Sequence, residues 1–429
     1  MDLSPGMLTD RYELTMLSSW VTDGSVHNRA VFEAFARKLP DGRRYGLLGG
    51  LGRLLELIEG LGFSDEEIHW LREQGVVSDA TADYLRDFRF TGDVDAYREG
   101  ELYFPGSPIV TVTGSLGECI VLETLVLSVL NHDSAIASAA ARMVSAAEGR
   151  PLVDMGSRRT HEEAAIASAR AAYVAGFAST SNLAAGRRYG IPTVGTAAHA
   201  FILAHENEEA AFRSQVEAQG IDTTLLVDTF DIADGIRSAV KVAGPSLGAI
   251  RIDSGDLAEE SRKARTLLDD LGATDTRIIV TSDLDEFVIT ALQDAPIDGY
   301  GVGTRLVTGS GHPTAAMVYK LVAVADGPRP DAPLRPVAKK SAAKVSVGGR
   351  KSVHRRYADG VLTDEAFTVD DAASNVQVPA IRNGAVVHRP ALTEIREHAA
   401  DAIASLPKDA RDVSAGGPYL TVRLEGEQP

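Results

Sequence analysis

Short hydrophobic runs alternate with amphipathic stretches through the middle of the chain. Seven apolar runs lie between residues 150 and 325, at 151–153, 175–178, 191–194, 224–227, 249–252, 278–280 and 299–302. Stretches with the length and apolar spacing of amphipathic helices lie between several of them, at 162–173, 201–218 and 257–271. Strands that alternate with helices pair in parallel through crossover helices, so this pattern predicts a closed or nearly closed parallel α/β barrel. A doubly wound open sheet is the alternative.

The two ends of the chain carry a mixed pattern. Residues 1–112 combine helical spacing at 51–61 and 65–73 with strand patterns at 29–35 and 88–92. The loop sequence Asp-Gly-Pro-Arg-Pro-Asp at 326–331 ends the barrel region, and a helix at 395–406 and a strand at 420–424 are predicted beyond it. We therefore expect an α/β barrel with the active site at 113–328. An α+β side domain would be formed by residues 1–112 and completed by residues 329–429.

The composition is that of a globular enzyme with an acidic balance. The 429 residues include 60 acidic and 43 basic side chains, a formal net charge of −17, and 44% are hydrophobic. Nucleic acids and anionic membranes require a basic surface, so the charge argues against both as the main partner. The single cysteine, Cys119, permits neither an intramolecular disulfide nor a thiolate zinc cage.

The sequence predicts a cytoplasmic protein. The first five residues contain no basic segment that an apolar stretch follows, so we expect no signal peptide. The longest apolar segment, around 120–130, is interrupted by Glu123, and we expect it to be too short to span a bilayer.

Polar residues follow each of the seven runs. In α/β barrels the reactive groups come from loops at the carboxyl ends of the strands. The combination of arginines, carboxylates, a histidine and glycine turns suits a substrate that carries phosphates together with a metal ion. The residues at these positions are Asp154, Arg158, Arg159, Ser179, Thr180, Ser181, Asn182, Thr196, His199, Asp228, Thr229, Asp231, Arg251, Asp253, Ser254, Asp256, Thr281, Ser282, Asp283, Gly303 and Thr304.

The segment from Arg251 to Asp256 is the most informative of these. Strand alternation places Arg251 and Asp253 on the same face of the fifth run. The Arg251 guanidinium would form a bidentate contact with an anionic group. Asp253 and Asp256 would hold ribose hydroxyls or Mg²⁺-bound water. A structural ion pair between Arg251 and Asp253 is the alternative.

A histidine and a glycine turn complete the candidate site. His199 follows the small residues Gly195, Ala197 and Ala198, which leave space for a ligand, and no HxH or HExxH spacing indicates zinc. Its neutral imidazole could act as a nucleophile or proton carrier, or simply donate a hydrogen bond to phosphate. Gly303 and Thr304 follow the last strand, where backbone N–H groups and a hydroxyl can bind phosphate.

A basic segment lies beyond the barrel. It contains eight lysines and arginines between 335 and 356 without an acidic residue. It is either a solvated surface segment or a face of the active-site mouth that attracts phosphates.

The order and spacing of nine motifs resemble those of nicotinate phosphoribosyltransferases of the bacterial, actinobacterial kind. The resemblance extends from residue 8 to about residue 320. The motifs are Leu-Thr-Asp-Arg-Tyr-Glu-Leu-Thr-Met at 8–16, Phe-Glu-Ala-Phe-Ala-Arg-Lys-Leu-Pro at 32–40, Phe-Pro-Gly-Ser-Pro at 104–108, Gly-Ser-Arg-Arg at 156–159, Gly-Thr-Ala-Ala-His at 195–199, Val-Asp-Thr-Phe-Asp at 227–231, Asp-Ser-Gly-Asp at 253–256, Gly-Val-Gly-Thr at 301–304 and Tyr-Lys-Leu-Val at 319–322.

The resemblance implies a fold and a reaction. The expected fold is the irregular, TIM-like barrel of type II phosphoribosyltransferases with its side domain. The expected reaction joins nicotinate to 5-phosphoribosyl 1-diphosphate, giving nicotinate mononucleotide and diphosphate in NAD salvage, with Mg²⁺ as cofactor and ATP as co-substrate. His199 matches the histidine that ATP phosphorylates in this family, and hydrolysis of that phosphohistidine drives the synthesis. A homodimer with shared active sites is also expected.

The resemblance also suggests roles for individual residues. Tyr12 and Asp10 match residues contributed across the dimer interface, with the tyrosine stacked on the pyridine ring. The residues expected to be catalytic are His199, Arg251 and Asp253, and those expected beside nicotinate are Tyr12, Arg158, Ser181 and Thr196. The residues expected to bind phosphoribosyl diphosphate are Asp10, Arg251, Asp253, Asp256, Gly303 and Thr304. The Mg²⁺ ligands are left open.

Substrate choice is predicted at one position. Relatives that use nicotinamide carry an acidic side chain where this chain has Ser181, and a carboxylate there would repel nicotinate. The alternatives are a nicotinamide or quinolinate phosphoribosyltransferase, or a non-catalytic barrel that senses phosphoribosyl diphosphate.

Overall fold

The structure, a computed structural model, describes residues 3–329, 331–341, 344–345, 347–369, 373–414 and 416–425. The chain divides into two compact units. Unit 1 comprises Met1–Ala135, Thr314–Ala410 and Ser414–Pro429, and unit 2 comprises Ile136–Pro313 and Arg411–Val413.

Helices occur in both units. Two 3₁₀ turns lie at Pro5–Leu8 and Ser25–His27. The α-helices are α1 (Arg11–Asp23), α2 (Leu51–Glu59), α3 (Asp65–Glu73), α4 (Asp79–Arg86), α5 (Leu116–Val121), α6 (Glu123–Ala147), α7 (Glu162–Ala175), α8 (Leu183–Tyr189), α9 (His199–Leu203), α10 (Glu208–Gln219), α11 (Ile232–Ala243), α12 (Leu257–Asp270), α13 (Glu286–Ala291), α14 (Thr304–Val307), α15 (Leu392–Ala404) and α16 (Lys408–Arg411).

Strands likewise occur in both units. They are β1 (Arg29–Ala36), β2 (Gly46–Leu47), β3 (Asp93–Tyr97), β4 (Leu102–Tyr103), β5 (Val110–Ser115), β6 (Leu152–Asp154), β7 (Ser179–Thr180), β8 (Thr224–Leu226), β9 (Ala249–Ile252), β10 (Arg277–Ser282), β11 (Gly299–Val302), β12 (Met317–Ala325), β13 (Leu334–Pro336), β14 (Lys340–Ser341), β15 (Lys344–Val345), β16 (Ser352–Ala358), β17 (Val361–Thr368), β18 (Gln377–Arg382), β19 (Ala385–Val386) and β20 (Arg423–Leu424).

Unit 1 is built on a seven-stranded sheet drawn from both ends of the chain. Its strand order is β13-β12-β1-β5-β3-β18-β19, and its described pairings are antiparallel. The interior strand β1 is almost wholly buried, and Phe32 stacks on Tyr319 of β12 with ring centroids 4.9 Å apart. This packing brings residues separated by nearly 300 positions into one hydrophobic core.

The predicted domain boundaries at 112 and 328 differ from the boundaries of the two units. Strands β5 and β12 flank β1 in the sheet of unit 1, and α5 belongs to the same unit. The predicted barrel range 113–328 therefore includes part of β5 and all of α5 and β12, which belong to unit 1. The reason is that β12 is a long apolar strand directly after the barrel segments, and its antiparallel partners cannot be identified from local pattern.

Unit 2 contains a six-stranded parallel sheet in the order β7-β6-β11-β10-β9-β8. Within the described residues its pairing gives a parallel half-barrel, whereas the seven apolar runs predicted a closed or nearly closed barrel. Residues 191–194 contribute only an isolated bridge between Thr193 and Thr180. Pro192 lies in this segment, and proline has no N–H to donate to a ladder.

The strand predicted at 175–178 begins later in the structure than the sequence indicated. Helix α7 includes Ala175 and ends at Gly176, whose backbone has φ of 124°. Glycine adopts this conformation without steric penalty, so the helix ends there and strand β7 begins only at Ser179.

Two other predicted elements differ from the structure. The single helix expected at 201–218 is two helices, α9 and α10, because the Asn207 side chain accepts a hydrogen bond from Ala210 N and starts a new helix. The strand expected at 88–92 begins later, at Asp93. The remaining expected helices, at 51–61, 65–73, 162–173, 257–271 and 395–406, correspond to α2, α3, α7, α12 and α15. The strand expected at 29–35 is β1, and that expected at 420–424 is the short β20.

The apolar segment around 120–130 is part of a longer helical stretch than the sequence predicted. The stretch Leu116–Ala147 runs for 32 residues and is, by length and composition alone, apolar enough to cross a membrane. In its most apolar window 67% of the residues are buried inside the protein, and the core helix of a soluble protein passes the same test. The expectation that this segment is too short was therefore wrong.

The basic segment at 335–356 is only partly a solvated surface. Lys351 pairs with Glu33, Arg350 lies 2.8 Å from Asp95, and the Arg355 Nε–H donates to Glu365 at 2.7 Å. These three cations neutralise acids of unit 1, a role that neither interpretation of the sequence included. Arg335 and Arg356 are exposed, as a solvated segment predicts. The side chains of Lys340 and Lys344 lie outside the described part of the chain.

Candidate active site

A cavity of ≈ 270 Å³ opens at the carboxyl ends of the strands of unit 2. Four neighbouring strands, β6, β11, β10 and β9, supply its walls through their last residues and the segments that follow them. Three arginines and two carboxylates face one space, so the cavity is suited to a polyanion with an associated cation. The lining residues are Met155, Arg158, Arg159, Arg251, Asp253, Thr281, Ser282, Asp283, Gly301, Gly303 and Thr304.

Arg251 is the most enclosed cation of this cavity. Its side chain is 13% exposed, and its flanking residues Ile250 and Ile252 are fully buried. The guanidinium donates to the Thr196 hydroxyl and, at 3.3 Å, to the Ala197 carbonyl oxygen. Burial lowers the pKa of Arg251, and Asp253 opposes this shift.

Asp253 lies beside Arg251, as strand alternation predicts. One Asp253 carboxylate oxygen is 3.9 Å from the Arg251 guanidinium and also accepts a hydrogen bond from the Thr281 hydroxyl. The ion pair is loose, and both side chains face the cavity, so each keeps capacity to bind a ligand.

The next strand ends in an unusual backbone conformation. Ser282, the last residue of β10, has φ of 146°, which is rare for a residue with a side chain. Gly301 of the neighbouring β11 packs tightly, because a Cβ there would lie 2.6 Å from Thr281 Cγ2 and 2.7 Å from Met155 Sδ. A larger residue at 301 would push these lining side chains into the cavity.

His199 is held by a buried carboxylate. Its Nε2 lies 3.1 Å from Asp228 Oδ1; the His199 side chain is 41% exposed and that of Asp228 is fully buried. The second oxygen, Asp228 Oδ2, accepts hydrogen bonds from Asp253 N at 2.9 Å and from Ser254 Oγ at 2.6 Å. Asp228 therefore connects the histidine to the strand end that carries Asp253.

Asp154 organises the opposite side of the site. This buried carboxylate accepts hydrogen bonds from Gly156 N at 2.9 Å and from Thr180 Oγ1 at 2.7 Å. Its backbone carbonyl accepts from Ser181 N at 2.8 Å, so the segments that carry Arg158 and Ser181 are tied together. Burial raises the pKa of Asp154.

The structure brings together most of the residues expected in unit 2. Arg158, Arg251, Asp253, Gly303 and Thr304 line the cavity, and Thr196 and His199 join it through the contacts described above. Ser181 is half-buried beside Asp154.

Asp256 has a local structural role, and its expected contact with the substrate or Mg²⁺-bound water stays a prediction. Its side chain caps α12 by accepting a hydrogen bond from Glu259 N at 3.0 Å, and it is exposed outside the lining of the cavity. An N-cap aspartate is sufficient to explain this residue without a ligand.

Tyr12 and Asp10 lie in unit 1, at the start of α1. Tyr12 is 47% exposed, and its hydroxyl hydrogen-bonds to Glu123. Burial and the Glu123 charge raise the pKa of Tyr12 above its ordinary value. The proposed contribution of both residues across a dimer interface stays a prediction.

Four residues that the geometry brings into the site were among the polar residues after the apolar runs, but sequence reasoning assigned them no specific role. They are Asp228, Arg159, Ser282 and Asp283. Their position after a run was the available signal. Nothing in the pattern distinguished them from other polar loop residues.

The carboxylates of the site are dispersed. Among the described residues, no group of three or more His, Cys, Asp and Glu side chains could hold a metal ion. The cavity still presents Asp253 and Asp283 next to three arginines, and Mg²⁺ is commonly bound by one or two carboxylates plus substrate phosphates.

Comparisons with known proteins give a consistent result. Residues 7–131 match the family model described as nicotinate phosphoribosyltransferase N-terminal domain, and residues 151–369 match the nicotinate phosphoribosyltransferase family model. The chain is 54% identical to the nicotinate phosphoribosyltransferase pncB1 of Mycobacterium tuberculosis, covering 97% of this chain and 95% of that protein. It is 39% identical to the nicotinate phosphoribosyltransferase of Bacillus subtilis, covering 82% and 74%.

The fold is similar to that of solved structures. The crystal structure of human nicotinic acid phosphoribosyltransferase superposes with a TM-score of 0.80 at 22% identity, covering 96% of this chain and 97% of the human chain.

Proposed function

Because this chain belongs to the nicotinate phosphoribosyltransferase family, we propose that it joins nicotinate to 5-phosphoribosyl 1-diphosphate and couples this reaction to ATP hydrolysis through a phosphohistidine at His199. One observation carries the proposal. A single buried carboxylate, Asp228, contacts both His199 and the strand end that presents Asp253 to an arginine-rich cavity. Asp228 thereby connects the proposed phosphate-accepting group, His199, to the cavity proposed to bind the sugar diphosphate.

The cavity fits the phosphoribosyl diphosphate. Arg158, Arg159 and Arg251 supply guanidinium donors for phosphate oxygens, and the turn at Gly303 and Thr304 adds a backbone N–H and a hydroxyl. In the reaction the C1–O bond to diphosphate breaks as the pyridine nitrogen forms the new C1–N bond. Nicotinate N1 carries a free lone pair at pH 7, so this step requires alignment and charge stabilisation rather than a general base.

Asp253 and Asp283 are the residues that would hold Mg²⁺, together with phosphate oxygens of the substrate. Bound there, Mg²⁺ neutralises negative charge on the departing diphosphate. Arg251 does the same from the protein side, and because it is largely buried its charge is poorly screened by water.

The histidine is oriented for transfer of the ATP γ-phosphate. An ionised carboxylate only accepts hydrogen bonds, so Asp228 fixes the proton of His199 on Nε2 and leaves the lone pair on Nδ1. The Nδ1 atom attacks the γ-phosphorus, the bond to the ADP oxygen breaks, and Asp228 stabilises the positive charge that develops on the ring. Water later cleaves the N–P bond and releases phosphate.

Nicotinate would lie between the segments that Asp154 joins. Arg158 can pair with its carboxylate, and the neutral Ser181 does not repel it. Thr196 accepts a hydrogen bond from Arg251 and would contact nicotinate from that side, and the ring-stacking tyrosine would be Tyr12 of a second copy of this chain.

Substrate identity is tested by steady-state turnover with nicotinate, nicotinamide and quinolinate at equal concentrations of 5-phosphoribosyl 1-diphosphate. We expect nicotinate to be used fastest and ATP to shift the reaction toward the mononucleotide. Faster turnover of nicotinamide would contradict the role of Ser181 and the proposed substrate.

The phosphohistidine is tested with γ-³²P-ATP and Mg²⁺. The wild-type protein should acquire an acid-labile, base-stable label. His199→Ala should lose that label and the ATP effect while it keeps slow transfer. The matched control is His69→Ala, which replaces an exposed histidine of α3 in unit 1. Label that persists in His199→Ala would remove this residue from its assigned role.

A further inference from the structure

A buried hydrogen-bond network joins two loops that line the cavity. The end of β10 and the loop after it carry Ser282 and Asp283, and the turn from β11 into α14 carries Gly303 and Thr304. Both loops continue into short helices, α13 and α14. The residues that connect them are not among those that line the cavity, and the proposed chemistry does not use them.

Glu286 is the centre of this network. It is 2% exposed; its Oε2 accepts a hydrogen bond from Ser310 Oγ at 2.6 Å, and its Oε1 accepts one from Arg142 Nε at 3.1 Å. Arg142 is 4% exposed and also donates to the Val413 carbonyl oxygen at 3.0 Å. A buried carboxylate requires such partners, because an unpaired one would be strongly unfavourable.

The backbone around Ser310 has an unusual conformation that places the Ser310 hydroxyl against Glu286. Gly309, Ser310 and Gly311 have φ of 59°, 53° and 85°, three consecutive residues in the left-handed region. Serine is uncommon there, so the bond to Glu286 compensates an unfavourable conformation. The Arg305 guanidinium, 3.9 Å from Asp285, forms a second connection between the same two loops.

We propose that Glu286, Ser310 and Arg142 form a positioning bridge that sets the spacing of Ser282 and Thr304 for a phosphate group of 5-phosphoribosyl 1-diphosphate. This inference rests on the proposed function and deepens it. The bridge acts only through the two loops, because none of its three members lines the cavity. Its loss should weaken binding of the phosphorylated substrate more than binding of the pyridine acid.

The test uses Ser310→Ala and Ser310→Gly in the full chain. Both remove the hydroxyl, but glycine also relieves the left-handed strain, so together they separate the hydrogen bond from the backbone effect. We expect both variants to raise KM for 5-phosphoribosyl 1-diphosphate roughly fivefold to tenfold, with less than a twofold change in KM for nicotinate. This is less than the full effect of one lost hydrogen bond to a charged group, because the bridge acts on the substrate only through the two loops. Amide hydrogen exchange in residues 303–311 should accelerate in both.

The matched control is Ser145→Ala, which removes a half-buried hydroxyl that bonds only within α6, to Ala141 O. It should leave both KM values and the exchange of 303–311 unchanged. An unchanged KM for 5-phosphoribosyl 1-diphosphate in both Ser310 variants, or a wild-type value in Ser310→Gly, would overturn the bridge. If the wild-type chain turned over no nicotinate, the proposed function would fail instead, and the exchange measurement would still decide whether the bridge orders the turn.

Discussion

Asp228 shows what single residues of this site contribute and how far sequence could reveal it. The pattern located an acid directly after an apolar run, but its partners lie 25 to 29 positions away along the chain. Arg251 and Asp253 could be placed on one face because strand alternation is a local rule. The partners of Asp228 depend on which strands become neighbours, and no local rule gives that.

Removing the charge of Asp228 tests the orientation of the histidine. Asp228→Asn keeps the shape but offers an amide that can present its NH₂ group to His199 Nε2, which favours the wrong tautomer. We expect formation of the ³²P label to slow by at least roughly tenfold, with a smaller loss of transfer activity without ATP. The control is Asp269→Asn on α12, which is half-exposed and should label normally. Normal labelling of Asp228→Asn would refute this role.

At the scale of elements, prediction succeeded where the chain carries its own boundary signals. Helix α3 begins where Ser64 and Glu67 form a capping box, and α12 begins at the cap Asp256. Strands β8 to β11 coincide with compact apolar runs. The runs at 175–178 and 191–194 failed because apolar composition does not distinguish a helix end or a single bridge from a strand.

The contact of α1 with the start of α6 makes stability depend on pH. Glu13 is buried and accepts hydrogen bonds from Thr9 and Thr124, yet burial raises its pKa from 4.5 to about 7. The folded state therefore binds a proton that the unfolded state releases between pH 4.5 and 7. The free energy of unfolding should fall over this range as pH rises, by an amount on the order of 2 kcal/mol, and level off above it.

Chemical denaturation of wild type and Glu13→Gln at pH 5 and pH 8 measures this effect. Glutamine does not titrate, so the stability of wild type relative to the variant should decrease between pH 5 and pH 8. Glu66→Gln, at an exposed position of α3, serves as the control. Its free energy of unfolding should equal that of wild type at both pH values. A constant difference between wild type and Glu13→Gln would show that Glu13 does not titrate in this range.

At the scale of the molecule, unit 1 depends on buried charges that join distant parts of the chain. The Arg355 guanidinium donates to Glu365, Glu101 and the Leu102 carbonyl oxygen, and stacks over Tyr97 at 5.4 Å. Glu101 and Leu102 precede Arg355 by more than 250 positions. From sequence alone Arg355 was one of eight basic residues in an unexplained segment. Only the three-dimensional structure shows that Arg355 pairs with buried acids in the interior of unit 1.

Arg355→Met should therefore destabilise unit 1 far more than its position in a basic surface segment predicts. Burial raises the pKa of Glu101, but Arg355, His398 and the Leu102 N–H together outweigh burial and lower that pKa to about 2, so Glu101 stays ionised beside the guanidinium. Methionine fills similar volume but leaves two buried carboxylates without their cation, a loss of about 3–5 kcal/mol. Thermal unfolding followed by circular dichroism should show a clearly lower midpoint. Arg356→Met, at the exposed neighbouring position, should change the unfolding midpoint little. If the two variants lowered the midpoint equally, Arg355 would contribute no more than an ordinary surface charge.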